Sequence, residues 1–123
     1  MTKEEILESN KLIANFMQYK VTEFQFRNWK TLVFCDEDDY IDIRDISYFT
    51  PNNNWNDLMP VVEKIESLCI DVTILRQTCR IATWERNFNQ ECLSNESKIH
   101  ATYSVVVEFI KWYNSQQKRQ KEN

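Results

Sequence analysis

Residues 70–84 read Ile70-Asp71-Val72-Thr73-Ile74-Leu75-Arg76-Gln77-Thr78-Cys79-Arg80-Ile81-Ala82-Thr83-Trp84. Ile70, Val72 and Ile74 alternate with Asp71 and Thr73, the period-two pattern of a strand with one wet face. Arg76-Gln77-Thr78 is polar and turns the chain back, and Cys79, Ile81 and Thr83 resume the alternation. The stretch predicts an antiparallel hairpin with one apolar side. Before it, Trp55, Leu58, Met59, Val62, Ile65 and Cys69 follow helical spacing, predicting a helix from near Asn53–Asn56 to about Leu68. Pro60 fits that helix only in its first turn or at a kink. After it, Asn87 to Asn95 reads as a polar loop. Ser97 then caps a helix to about Tyr113, striped by Ile99, Tyr103, Val106, Val107 and Ile110 and widened by Val105, Phe109 and Trp112. Amphipathic helices flanking a one-sided hairpin make the class α+β.

The N-terminal half reads as a further helix followed by strands, with no internal repeat. Residues 3–18 predict a helix with Ile6, Ile13, Phe16 and Met17 on one face, and Thr2 with Glu5 has the form of a capping box. Asn10, in mid-helix, is neutral by propensity. Residues 20–49 are strand-like: Phe24 and Phe26 alternate with polar neighbours, and Thr31 to Cys35 is β-branched and aromatic. Asp36-Glu37-Asp38-Asp39 is a polar turn. Beyond it the apolar phase slips around Arg44-Asp45, which predicts a bulge or a break between short strands. Thr50-Pro51-Asn52-Asn53 is a loop. The expected order is α-β-β-α-β-β-α, a small antiparallel sheet packed with three amphipathic helices. It forms one domain, residues 1–117, with a polar, basic C-terminal tail, 118–123, that frays from about Gln116.

Composition narrows the function. The chain has 123 residues, a formal net charge of -4 and 28% charged residues. An acidic balance disfavours a general nucleic-acid binder. Glycine is absent, where average usage would supply roughly nine. P-loops, GxGxxG turns and GxSxG elbows need glycine backbone, so the common nucleotide-handling enzymes are excluded. Turns with positive φ then fall to Asn and Asp, and Asn52, Asn53 and Asn54 stand in a row. Scarce Gly, Pro and Ala beside abundant Asn, Lys, Ile, Phe and Tyr suggest a low-GC genome. The N-terminus carries no signal-peptide pattern and no stretch has the length of an apolar membrane span, so a cytoplasmic location is expected. Cys35, Cys69, Cys79 and Cys92 form no CxxC pair and are expected as reduced, mostly buried thiols.

Three stretches carry a family pattern. They are Asn10-Lys11-Leu12-Ile13-Ala14-Asn15-Phe16-Met17, the run from Trp55 to Glu66, and the run from Ser97 through Thr102-Tyr103 to Val107-Glu108-Phe109-Ile110-Lys111-Trp112-Tyr113. The pattern resembles the phage ABA sandwich domain proteins and their uncharacterised bacterial relatives. The resemblance covers the three helices and implies an α-β-α sandwich of prophage or mobile-element origin. It implies no established enzymatic activity, so no catalytic residue is carried over. Where the family often has Gly at two helix ends this chain has Gln18 and Cys69, so those ends are expected to be strained or closed differently.

Candidate chemistry is sparse. His100 is the only histidine and has Glu96 four residues before it, which reads as a surface pair. Asp36, Asp38 and Asp39 are candidate ligands for Mg²⁺ or Ca²⁺, although no glycine permits the sharp turn of an EF-hand loop. Their ordinary reading is a solvated turn, and no cofactor is expected. Trp29, Trp112 and Tyr113 are candidate partner contacts, because Trp and Tyr are enriched at interface anchors. Trp112 and Tyr113 are adjacent on one helix, so they cannot both face the same way. The leading expectation is a non-enzymatic protein-interaction module with an unidentified protein partner or self-association, and no membrane or nucleic acid. The alternatives are a metal-dependent or small-ligand-binding enzyme built on the acidic loop 36–39, and an acidic inhibitor or nucleic-acid mimic.

Overall fold

The computed structural model describes residues 2–26, 29–35, 44–45, 49–68, 70–83, 88–94 and 96–122. The elements are α1 (Lys3–Phe16), β1 (Lys20–Phe26), β2 (Trp29–Cys35), β3 (Arg44–Asp45), α2 (Trp55–Ser67), β4 (Asp71–Leu75), β5 (Thr78–Ala82), β6 (Asn89–Leu93) and α3 (Lys98–Glu122). Two antiparallel three-stranded sheets form, in the orders β1-β2-β3 and β4-β5-β6. The class is α+β, as the sequence predicts, but each sheet has a strand more than the expected order. The first addition, β3, occupies Arg44–Asp45 itself, paired with Phe34 and Val33, while the flanking residues where a bulge or break is expected lie outside the described residues. The second, β6, lies in the stretch read as a polar loop. The acidic run 36–39 falls outside the described residues.

Local chemistry sets the helix ends. The Thr2 side chain accepts the Glu5 N–H at 3.1 Å, which starts α1 where the capping pattern places it. At the other end Gln18 adopts φ 63°, the left-handed position that glycine usually fills. The Gln18 N–H donates to the Asn15 carbonyl and the Tyr19 N–H to the Ala14 carbonyl, at 3.0 and 2.9 Å. This is a complete Schellman closure built without glycine. Lys64 of α2 donates its ammonium to the Phe16 carbonyl and covers the Phe16 ring, adding a cation to the negative end of the α1 dipole.

α2 begins at Asn54, whose side chain accepts the Asn56 N–H at 3.0 Å. Pro60 lies beyond the first turn, so of the two placements expected for it the first does not hold, and its missing N–H leaves the carbonyl of exposed Asn56 to solvent. The asparagine run serves hydrogen bonding and not positive φ. Among the described residues only Gln18 and Arg76 have φ in the left-handed region. α3 also departs from expectation, because it runs past Tyr113 to Glu122. Residues 114–122 are rich in Gln, Lys and Arg, which favour helix, and Lys118, Arg119 and Lys121 suit its C-terminal dipole.

The helices meet over the inner face of the β4-β5-β6 sheet. Ile81 and Cys79 from that sheet, Leu58, Val61 and Ile65 from α2, Ile13 from α1 and Val106, Phe109 and Ile110 from α3 are all fully buried. The opposite face of the sheet, Asp71, Thr73, Leu75, Arg80, Asn89, Glu91 and Leu93, is exposed. Within the described residues the three helices therefore lie on one face of this sheet. No helix among the described residues is long and apolar enough to cross a membrane.

Candidate functional site

The outer face of the second sheet is ordered in cross-strand rows. Register places Asp71 beside Ala82 and Asn89, Thr73 beside Arg80 and Glu91, and Leu75 beside Thr78 and Leu93. Direct partners in an antiparallel pair share a face, so each row is a line of adjacent side chains. The first two rows are largely polar, and Arg80 Nε donates to Asn89 Oδ1 at 3.0 Å. The third is apolar at both ends: Leu75 is 63% exposed and Leu93 69%. The backbone beneath this row is fixed. Thr78 Oγ1 donates to the Leu75 carbonyl at 2.7 Å, and the Ser94 N–H donates to the Gln77 carbonyl at 3.0 Å.

The inner face of the same strands carries two thiols. Cys79 and Cys92 are direct partners in the β5-β6 register, Cys79 fully buried and Cys92 half-buried, and neither is bridged. Burial pushes the Cys79 thiol up to about 11, a hydrogen bond with Thr102 opposes the rise, and the adjacent Cys92 adds to it. Cys79 is buried, as expected, while Cys92 keeps some access to solvent.

Ser94, Glu96 and His100 converge where β6 leads into α3. Ser94 Oγ lies 2.8 Å from His100 Nδ1, and His100 Nε2 lies 3.8 Å from Glu96 Oε2. The composition is that of a nucleophile with its base, but the hydrogen bonding is that of a cap. Ser94 is buried, and its Oγ accepts the N–H groups of Glu96 and Ser97 at 3.0 and 3.4 Å. Those two bonds use both lone pairs, leaving none aimed at a substrate. Ser97 Oγ in turn accepts the His100 N–H at 3.2 Å, the N-cap that the sequence predicts.

The aromatic candidates are anchored. Trp112 and Tyr113 both lean on Phe109, with ring centroids 5.9 and 6.0 Å away. They then diverge, Trp112 to Phe88 at 5.2 Å and Tyr113 to Phe16 at 5.6 Å. Both are half-buried, so each keeps an edge toward solvent. Trp29 lies in β2, in the other sheet, so the three candidates do not share one element. Asp36, Asp38 and Asp39 lie outside the described residues. Among the described residues no group of three or more His, Cys, Asp or Glu side chains is placed to hold a metal ion.

Sequence reasoning missed the Leu75–Leu93 row because it missed β6. A signal was present: Cys92 inside a polar run is the one residue of the edge strand that is not exposed, flanked by Glu91 and Leu93, which face water. Comparison with family models, with curated proteins and with solved structures returned no match.

Proposed function

We infer that this chain is a non-enzymatic interaction module that binds a protein partner in the cytoplasm through the outer face of β4-β5-β6. The observation that carries this reading is the row Leu75–Thr78–Leu93, two leucines more than half exposed on a backbone that is hydrogen-bonded into place. Exposed apolar side chains held in one row on either side of Thr78, next to polar rows, have the make-up of a contact patch. Each leucine is worth about 1.5–3 kcal/mol when fully buried, enough together to anchor a modest interface. The resemblance of the three helices to phage ABA sandwich proteins supports an accessory role in a prophage or mobile element.

The test compares tagged wild type with the Leu75→Arg/Leu93→Arg variant in affinity capture and in sedimentation velocity. Both positions face solvent, so the variant is expected to fold. A partner held by wild type and lost by the variant supports the reading, as does a wild-type self-association that the variant abolishes. Equal capture by both proteins overturns it, as does a wild type that stays monomeric and holds no partner.

A further inference from the structure

We propose that Cys79 and Cys92 form a reversible cross-strand disulfide between β5 and β6, made by exchange with a low-molecular-weight disulfide such as oxidised glutathione. Three observations carry this. The two residues are direct register partners, and direct partners put their Cα atoms about 4.5–5.5 Å apart. That spacing lies within the roughly 4.4–6.8 Å window that a disulfide requires. Both side chains point to the inner face, so no strand rotation is needed to bring the sulfurs together. Finally, the pair differs in access, which assigns the order of events: Cys92 is half-buried and reachable, whereas Cys79 is sealed.

In the first step the Cys92 thiolate attacks one sulfur of the small disulfide. The small S–S bond breaks, a mixed disulfide forms on Cys92, and one small thiolate leaves and is protonated by water. In the second step Cys79 gives up its proton and attacks Cys92 Sγ. The mixed bond breaks, the Cys79–Cys92 bond forms, and the second small thiol departs with that proton. Two electrons and two protons have passed from the protein to the small disulfide. Thr102, which donates its own hydroxyl to the Lys98 carbonyl at 3.0 Å and hydrogen-bonds Cys79, holds the resolving sulfur on the α3 side of the sheet. Cys35 lies in β2 of the other sheet, opposite Lys20, so its register partner is not a cysteine.

The experiment incubates the full chain with oxidised glutathione, alkylates the remaining thiols in denaturant and maps the peptides without reduction. Arg80 and Arg86 lie between the two cysteines, so trypsin leaves them on separate peptides that only a disulfide can join. The expected result is a joined Cys79–Cys92 peptide, an intact mass lower by two hydrogens, and two of the 4 cysteines lost to alkylation. Dithiothreitol should restore all of them, and Cys92→Ser, at a half-exposed site, should leave Cys79 fully alkylated. Three results overturn the proposal: no loss of thiols in the folded protein, a reaction that stops at glutathione on Cys92, or a bridge that uses Cys35 or Cys69 in place of this pair. Should the variant fail to fold, the wild-type map decides alone.

Discussion

Replacing Asn10 by alanine disconnects three distant segments at once. Asn10 Nδ2 donates to the Phe49 carbonyl and to Asn52 Oδ1, each at 3.2 Å, across sequence separations of 39 and 42. Its Oδ1 accepts the Tyr103 hydroxyl at 2.8 Å, across a separation of 93. Asn10 and Tyr103 are both buried, so the groups left behind are cut off from water. The Phe49 carbonyl loses the Asn10 donor, a net cost of about 0.5–1.5 kcal/mol. Tyr103 retains the Ile6 carbonyl at 3.4 Å, a poorer partner, so its loss is about 1 kcal/mol. Asn52 is half-buried and is re-solvated at little cost. Alanine returns up to about 0.7 kcal/mol of helix propensity. The net destabilisation expected for Asn10→Ala is therefore about 1–2 kcal/mol. Tyr103→Phe, which strands Asn10 Oδ1 and removes the hydrogen bond with Ser9, should cost about 1–2 kcal/mol. The two substitutions share one hydrogen bond, so the double variant should fall short of the sum by about 1 kcal/mol. Urea unfolding of all four proteins measures this, with midpoints compared at constant slope. A cost for Asn10→Ala below about 0.5 kcal/mol, the usual effect of a surface substitution, would refute the reasoning. So would single effects that simply add.

Two further outcomes follow from the backbone and from buried titration. Gln18→Gly should stabilise the protein by about 0.5–1 kcal/mol in the same urea assay, because φ 63° at the α1 closure suits glycine and costs a residue with Cβ; a lower midpoint would show that the Gln18 side chain contributes more than its backbone costs. Burial raises the Tyr103 hydroxyl from 10.0 to about 12, as it raises the Cys79 thiol from 9.0 to about 11. Groups with raised folded-state values bind more protons folded than unfolded, so their contribution is complete below the unfolded values and is lost as pH rises through the folded ones. Melting temperature should therefore fall from about pH 9 upward, and Tyr103→Phe should flatten the decline above pH 10; identical slopes would remove Tyr103 as a cause.

What was legible in the sequence was what periodicity and capping write locally. The β4-β5 hairpin, the α2 start at Asn54, the Thr2 cap and the Ser97 cap all lie where single residues and their near neighbours place them. Illegible features depend on partners far along the chain. Asn10 reads as neutral in isolation, yet it stands four residues after Ile6 and three before Ile13, on the apolar face. A polar side chain in that position has to find partners across the core, and its neighbours in sequence do not reveal them. β6 was hidden for a related reason. Its sequence, Asn-Gln-Glu-Cys-Leu, has little strand propensity of its own, and its conformation comes from pairing with β5. The C-terminal half of α3 has helix-forming residues but no apolar stripe, so periodicity stops before the helix does.

That late strand is also where the contact surface and the thiol pair meet. Alternation puts Cys92 toward the helices and Leu93 toward solvent, one residue apart on the same five-residue edge. β6, like β4, is an edge strand paired with β5, and the Ser94–Gln77 bond ties its end to the β4-β5 turn. A covalent link through Cys92 closes the loop of 14 residues from Cys79 to Cys92 and is worth about 3 kcal/mol against an open chain. It acts on the strand that presents Leu93, while Leu75 sits on β4, whose residues Asp71–Leu75 include no cysteine. The bond leaves the outer face chemically unchanged, so the two tests separate cleanly. Partner binding lost in Leu75→Arg/Leu93→Arg but kept in Cys92→Ser belongs to the apolar row. Binding that also tracks the oxidation state of Cys92 shows the inner face setting the position of the outer one.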